Sequence, residues 1–254
     1  MYAKFGFAID YSLLWVMQTN HSISVDCVVF GFDGQSLRCL LIRRNGLDYK
    51  LPGSLIFENE DISYAAYRVL EEMTGLRDIF LKELSVFSDP QRVGKEDLDW
   101  INSFYGVNTL RVVTVAYYAL VKLDRNMRSY TEEKGAFWKE INNITSLAMD
   151  HREILNKALE MLSRDMTYSP IAFELLPKKF TIRELAGLYK AILGVEIDNR
   201  NFRKKIIGCG YILPTGDKEK GVAHKPAAYY IFDKHRYRRE EKKTRKLNFI
   251  NWNE

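Results

Sequence analysis

Apolar positions change period along the chain, and each change marks an element. Residues 22–32 and 36–43 are dense in Val, Ile, Leu and Cys, and Gly31 to Gly34 with Asp33 supply a turn, so they predict paired strands. From Ile62 the spacing becomes helical: Ile62, Ala65, Ala66, Val69, Leu70 and Met73 form one stripe, which predicts a helix buried on that face. Residues 81–87 and the β-branched run 111–123, with its pair Tyr117 and Tyr118, predict two more strands. Between them, the polar residues 88–108, with Pro90, Gly94 and Gly106, predict a long loop at the mouth of a pocket. Residues 136–138 predict a short strand, and 141–149 lead into a helix over about 151–164.

Past Thr167 the rhythm breaks at Pro170 and Pro177 and then restarts. Thr181 and Glu184 have the spacing of a capping box, so a helix starts there, with Leu185, Leu188, Tyr189, Ile192 and Leu193 as its stripe and Gly194 as its stop. A second start at Asp198 opens a helix over 199–207, which turns Phe202, Ile206 and Ile207 inward and leaves Arg200, Arg203, Lys204 and Lys205 outside. The short link 195–197 makes the pair a helix-turn-helix. Residues 211–213 and 227–232 then predict a hairpin around a turn rich in Gly and Lys, with Lys218, Lys220, His224 and Lys225 beside it, which is the wing of a winged helix. The tail 234–246 alternates Arg, Lys and Glu and has three readings: a solvated helix, a phosphate-binding arm or a disordered end.

Length and charge support a division into two parts. A chain of 254 residues with 46% hydrophobic content exceeds one ordinary compact unit. Residues 1–150 hold 16 Lys+Arg against 20 Asp+Glu, a net of −4, whereas residues 151–254 hold 22 against 13, a net of +9. An acidic half joined to a basic half implies that the second half meets a polyanion. Apolar runs are too short for a membrane span, and residues 5–17 are interrupted by Asp10 without a small-residue cleavage site, so a cytoplasmic location is expected. Cys27, Cys39 and Cys209 are widely separated and lack the spacing of a zinc site or a disulfide framework, so Cys27 and Cys39 are expected to be small buried residues.

The candidate chemistry lies in residues 53–76, GSLIFENEDISYAAYRVLEEMTGL. This stretch resembles the Nudix box, a loop-helix-loop of pattern G-x5-E-x7-R-E-U-x-E-E-x-G-U that holds a divalent cation for pyrophosphate hydrolysis. Glu60, Arg68, Leu70, Glu72, Gly75 and Leu76 occupy matching positions, and Leu51, Pro52 and Gly53 supply the lead-in. Ser54 stands where the first Gly belongs, Val69 replaces one metal-binding Glu and Met73 another, leaving Glu72 alone. Mg²⁺ needs oxygen ligands, and Val and Met offer none. Glu71 lies about 100° around the helix from Glu72, so it points elsewhere. No catalytic residue, metal or cofactor is therefore expected. A Nudix-type hydrolase is the alternative, for which Glu58, Glu60 or Glu71 are the local replacement carboxylates.

A degenerate box followed by a winged helix resembles the Nudix-related transcriptional regulators. The match is carried especially by residues 180–185, 188–194 and 198–205, and it extends over about 21–232. The resemblance implies an α/β fold: a Nudix-like α/β/α sandwich, then a winged helix-turn-helix. The expected division is an N-terminal extension 1–20, an effector domain 21–165, a DNA-binding domain 166–233 and a basic tail 234–254. It further implies a homodimeric repressor that binds operator double-stranded DNA and senses ADP-ribose, a related metabolite or a sugar. Loss of the metal trio favours a sugar. Expected DNA contacts are Arg183, Asn199, Arg200, Asn201, Arg203, Lys204, Lys205, His224 and Lys225. For the effector, Glu60, Arg68 and Glu72 are expected at the pocket floor, with Arg43, Arg92, Arg111 and Tyr117 contributing; Arg68 has a second reading as the structural partner of a carboxylate. The basic half also leaves open an RNA-binding or protein-interaction module.

Overall fold

The computed structural model describes residues 18–44, 48–168, 170–223 and 225–243. Most of the expected N-terminal extension, the end of the tail and His224 lie outside these residues. No helix of the described residues is long and apolar enough to cross a membrane.

The apolar run at the start of the chain forms the central strand β1 (Thr19–Phe32). It pairs in parallel with β6 (Val113–Lys122) and antiparallel with β2 (Leu37–Arg44) and β4 (Gly53–Phe57). Strand β3 (Asp48–Lys50), β5 (Lys82–Phe87) and β7 (Ala136–Glu140) complete a seven-stranded sheet. Successive residues of a strand point to opposite faces, and β1 uses both. Val25, Cys27 and Val29 pack with Ala65, Ala66, Val69 and Leu70 of α1 (Ile62–Thr74). Val28 and Phe30 pack with Ile154, Leu155, Ala158 and Leu162 of α4 (His151–Tyr168). By the same alternation Ser24 and Asp26 belong to the α4 face, where no apolar side chain replaces them.

Helix α1 begins at Asp61, whose carboxylate accepts the Ser63 and Tyr64 N–H groups, and stops at Gly75, which takes φ 74°. Cys27 and Cys39 are fully buried, as expected, and burial pushes the Cys39 thiol up to about 12.

The expected long loop over 88–108 is instead interrupted by a helix, α2 (Lys95–Tyr105). The glycines that suggested a loop are its ends: Gly94 is the N-cap, and Gly106, at φ 64°, is the C-cap. Glu96 and Asp97 in the first turn suit the positive end of the helix dipole. A polar helix, α3 (Arg125–Glu133), was also not expected; Asp124 caps it.

After α4, a short α5 (Ala172–Leu175) leads into β8 (Phe180–Thr181), α6 (Ile182–Leu193) and α7 (Asn199–Gly208). The capping box between Thr181 and Glu184 is present in both directions. Strands β9 (Ile212–Lys218) and β10 (Ala228–Phe232) form the expected hairpin, longer on its first arm, in the order β8-β10-β9. Ile207, expected inside, is 38% exposed; Phe202 and Ile206 alone anchor α7. The start of the tail is a helix, α8 (Lys234–Lys243), held by Tyr237 against Tyr211 and Phe232.

One apolar core runs from the α4 face of the sheet into α6 and α7. Polar contacts reinforce that junction. Asp165 of α4 accepts from Lys82 at 2.7 Å and from Tyr118 at 2.5 Å, and Tyr189 of α6 donates to the Met166 carbonyl at 3.4 Å.

Candidate functional site

The surviving polar positions of the box meet in one cluster. Arg68 donates to both oxygens of Glu60, at 2.5 and 2.6 Å, and to Glu72 at 2.9 Å, while its guanidinium lies 4.1 Å from the centroid of Phe57. Burial raises the Glu60 pKa, but hydrogen bonds from Arg68 and the Phe57 N–H outweigh it and hold the carboxyl below its ordinary range. Arg68 is thus ion-paired to a carboxylate.

This cluster does not fit a divalent cation. Val69 is wholly buried, Met73 packs into the same core, and Glu72 is 60% exposed beside Arg68. The replacement carboxylates are committed elsewhere: Glu71 pairs with Arg77 at 2.6 Å, and Glu58 accepts from Asn20 at 3.3 Å. Among the described residues no three His, Cys, Asp or Glu side chains are grouped to hold a metal.

A cavity lies on the opposite face of β1. Ser24, Asp26 and Thr114 line it from the sheet, Gly53 to Leu55 from β4, and Trp100, Ile101 and Tyr105 from α2. Its polar floor was not foreseen. Lys50 is buried and donates to the Gly53 carbonyl at 2.6 Å; burial pushes its ammonium down to about 8, against the pull of Asp26. His151, also buried, accepts the Leu51 N–H at Nδ1 (2.9 Å), so its Nε2, 3.5 Å from Asp26, carries the proton of the neutral ring. Burial lowers the His151 pKa, although Asp26 opposes it. Tyr105 lies beside Ser54, and burial raises its phenol pKa.

Gly53 is required here by a close approach. A Cβ on it would lie 1.8 Å from Asp26 Oδ1 and 2.8 Å from the Val25 carbonyl. Gly53→Ala should therefore destabilise the chain by about 1–3 kcal/mol. Urea unfolding is the check, and an unchanged midpoint would mean that Asp26 has room to move.

Of the other effector candidates, Arg92 reaches the cavity but is bound to Asp150 at 2.6 and 2.7 Å. Arg111 stands exposed and donates to the Ser88 carbonyl at 2.8 Å. Tyr117 faces the α1 side of the sheet, away from the cavity. Arg43 is exposed, and its neighbour Arg44 turns inward, held by Asp48 at 2.9 Å and Asp97 at 2.5 Å. That one-residue difference follows from strand alternation. A sequence signal for the cavity did exist: Asp26 is a lone charge inside an apolar strand run, and Lys50 directly precedes the Leu-Pro-Gly lead-in.

The basic face of α7 is open. Asn199, Arg200, Asn201, Arg203, Lys204 and Lys205 are all exposed, beginning at Asp198, whose carboxylate accepts the Asn201 N–H. Arg203 leans on the hairpin and donates to the Tyr230 hydroxyl at 2.9 Å. Arg183, at the start of α6, pairs with Glu219 of the hairpin at 2.8 Å. Lys225 is exposed.

Residues 172–232 match the NrtR DNA-binding winged helix domain family. The chain is 27% identical over 218 residues to the ADPR responsive transcriptional repressor NtrR of Acinetobacter baylyi, covering 83% of this chain and 81% of that protein. Its fold is similar to that of Shewanella oneidensis NrtR in a crystal structure with a 27mer DNA, with a TM-score of 0.61, 24% identity, and coverage of 83% and 93% of the two chains. It is also similar to a MutT/nudix family protein from Enterococcus faecalis, with a TM-score of 0.55, 24% identity, and coverage of 84% and 86%.

Proposed function

We propose, taking as premise that the chain joins a Nudix fold to a winged helix of the NrtR DNA-binding type and so belongs with the Nudix-related transcriptional regulators, that it is an effector-controlled repressor. The observation that carries this reading is the exposed basic face of α7 in the winged helix. A helix of that kind enters the major groove, where Arg, Lys and Asn read base edges while further Lys side chains hold phosphate. Arg200, Asn201, Arg203 and Lys204 serve the groove, and Lys205, Lys225 and His224 serve the backbone. Arg183 is positioned through Glu219 and supports the hairpin. Two chains form a dimer that spans half-sites one or more DNA turns apart.

The effector domain covers 21–165 and the DNA-binding domain 166–233. The effector is ADP-ribose or a closely related nucleotide sugar, a choice supported by the name of the Acinetobacter relative. It binds the effector domain beside the cavity under α2; Glu60, Arg68 and Glu72, expected at the pocket floor, do not line that cavity. The chain does not hydrolyse it, because Val69 and Met73 supply no metal ligand and Glu72 is tied to Arg68. Helix α4 links the two functions: it starts at the cavity with His151 and ends against α6 at Met166. An effector that moves its start changes the spacing of the two winged helices, provided that it binds one dimer geometry more tightly than the other.

Electrophoretic mobility shift at about 0.15 M salt tests this, with a duplex selected by the protein from a random library. The selected duplex should outcompete random duplex, and ADP-ribose should release it. No sequence preference would overturn the regulator reading; retention of the duplex at saturating ADP-ribose would overturn the choice of effector. Mg²⁺-dependent release of AMP from ADP-ribose would restore the hydrolase reading.

A further inference from the structure

We infer that α8 is a second DNA-binding element, which holds the sugar–phosphate backbone beside the groove that α7 enters. The inference rests on the DNA-binding reading of α7 and adds a surface outside the matched winged helix, which ends at residue 232, whereas α8 begins at Lys234.

Of the three readings of the basic tail, the structure supports the phosphate-binding arm. The helix is anchored at its start. Tyr237 is 5% exposed, with its ring 5.4 Å from that of Tyr211 and 5.7 Å from that of Phe232. The Asp233 carboxylate accepts the His235 and Arg236 N–H groups, and the Asp233 N–H donates to the Tyr211 carbonyl at 2.9 Å. With Tyr237 turned inward, the helical rotation of about 100° per residue points His235 and Arg239 outward and sets Arg236 and Arg238 on the two flanks. Lys234, His235, Arg236, Arg238 and Arg239 are all exposed. Among the described residues only Arg236 has an acidic partner, Asp233 at 3.4 Å. A merely solvated helix mixes both signs of charge along its face, but here the acids come only at Glu240 and Glu241, after the basic stretch. Lys234 and Arg236 stand in the first turn, where cations oppose the positive end of the helix dipole. This pattern works against the helix by itself and suits a polyanion laid against it.

The position of α8 decides which part of the DNA it meets. Helix α7 ends at Gly208, and Tyr211, on which α8 rests, follows three residues later. Three residues span at most about 11 Å, so α8 starts beside the C-terminal end of α7. In a helix-turn-helix the N-terminal residues of the recognition helix reach the base edges. The C-terminal end therefore rises to the rim of the groove, where phosphates are within reach of an Arg side chain. Contacts of that kind supply affinity and orientation without sequence preference.

The test is the double variant Arg238→Gln, Arg239→Gln in the full chain, titrated by fluorescence anisotropy against the selected duplex and a random duplex over a salt series. Tyr237 is untouched, so the thermal unfolding midpoint should not change. Each lost phosphate contact lowers the salt slope by about 0.9 and, at about 0.15 M salt, affinity by about fivefold. The variant should therefore bind both duplexes about 30-fold more weakly, with a slope lower by about two, and Arg238→Lys, Arg239→Lys should restore most of the loss. Affinity and slope equal to those of wild type would overturn the assignment and leave the α7 reading intact. A loss confined to the selected duplex would also overturn it, because that is base readout. Failure of wild type to prefer the selected duplex would overturn the reading on which it rests. If the variant unfolds, wild type is titrated with a selected duplex that carries neutral methylphosphonate linkages just outside the protected sequence; affinity equal to that for the unmodified duplex would overturn the assignment.

Discussion

Replacing Arg200 and Lys204 together by Ala should weaken binding to the selected duplex by roughly 30- to 20,000-fold and leave thermal stability unchanged. Each well-placed contact to a base edge is worth about 1–3 kcal/mol, and about 1.4 kcal/mol is a factor of ten. Both side chains are exposed on α7, and neither makes an ion pair or hydrogen bond among the described residues, so truncation removes nothing from the fold. Arg203→Ala is a different experiment. Its guanidinium donates to Tyr230 and lies 5.8 Å from that ring, so its loss also loosens the hairpin, and affinity and stability should fall together. Fluorescence anisotropy over a salt series separates the roles: a phosphate contact lowers the salt slope by about one, whereas a base contact lowers affinity mainly for the selected sequence. A loss below about threefold in the double variant would remove α7 from the DNA interface.

The winged-helix half was more legible in the sequence than the cavity, for a physical reason. Thr181, Glu184, Gly194 and Asp198 are local signals: each acts on backbone groups within one helical turn, so their spacing along the chain is their spacing in space. The same holds for the buried stripe of α1. The cavity instead gathers Asp26, Lys50, Trp100 and His151 from β1, β3, α2 and α4, and no local spacing announces such a meeting. Helix α2 was hidden because glycines at both ends of a polar segment suit a helix as well as a loop. Arg43 and Arg44 differ only in strand parity, which a run of adjacent polar residues does not encode. Tyr117 fell to the same ambiguity, since a strand buried on both faces gives no alternation to read.

Removing one partner of the Arg92–Asp150 pair should destabilise the chain far more than removing both. The side chains are 3% and 6% exposed and joined by two hydrogen bonds, so Arg92→Met leaves a carboxylate buried without its counter-charge. Loss of one member of such a pair costs about 3–5 kcal/mol, whereas replacing both with apolar groups of similar volume is often close to neutral. In urea unfolding, Arg92→Met and Asp150→Asn should each show the large loss, and the double variant Arg92→Met, Asp150→Leu should recover most of it. The comparison also decides what Arg92 is for. As a ligand of the effector, it would give a stable single variant that no longer binds ADP-ribose, and the double variant would bind no better. As a weld between the segment before α2 and the start of α4, it gives an unstable single variant and a stable double variant that still binds. Asp150 accepts the Ile154 N–H in the first turn of α4 and directly precedes His151, so the weld fixes the end of the helix that meets the cavity. A stable double variant that binds both ADP-ribose and duplex, yet no longer releases the duplex when ADP-ribose is added, would locate the transmission step at that junction.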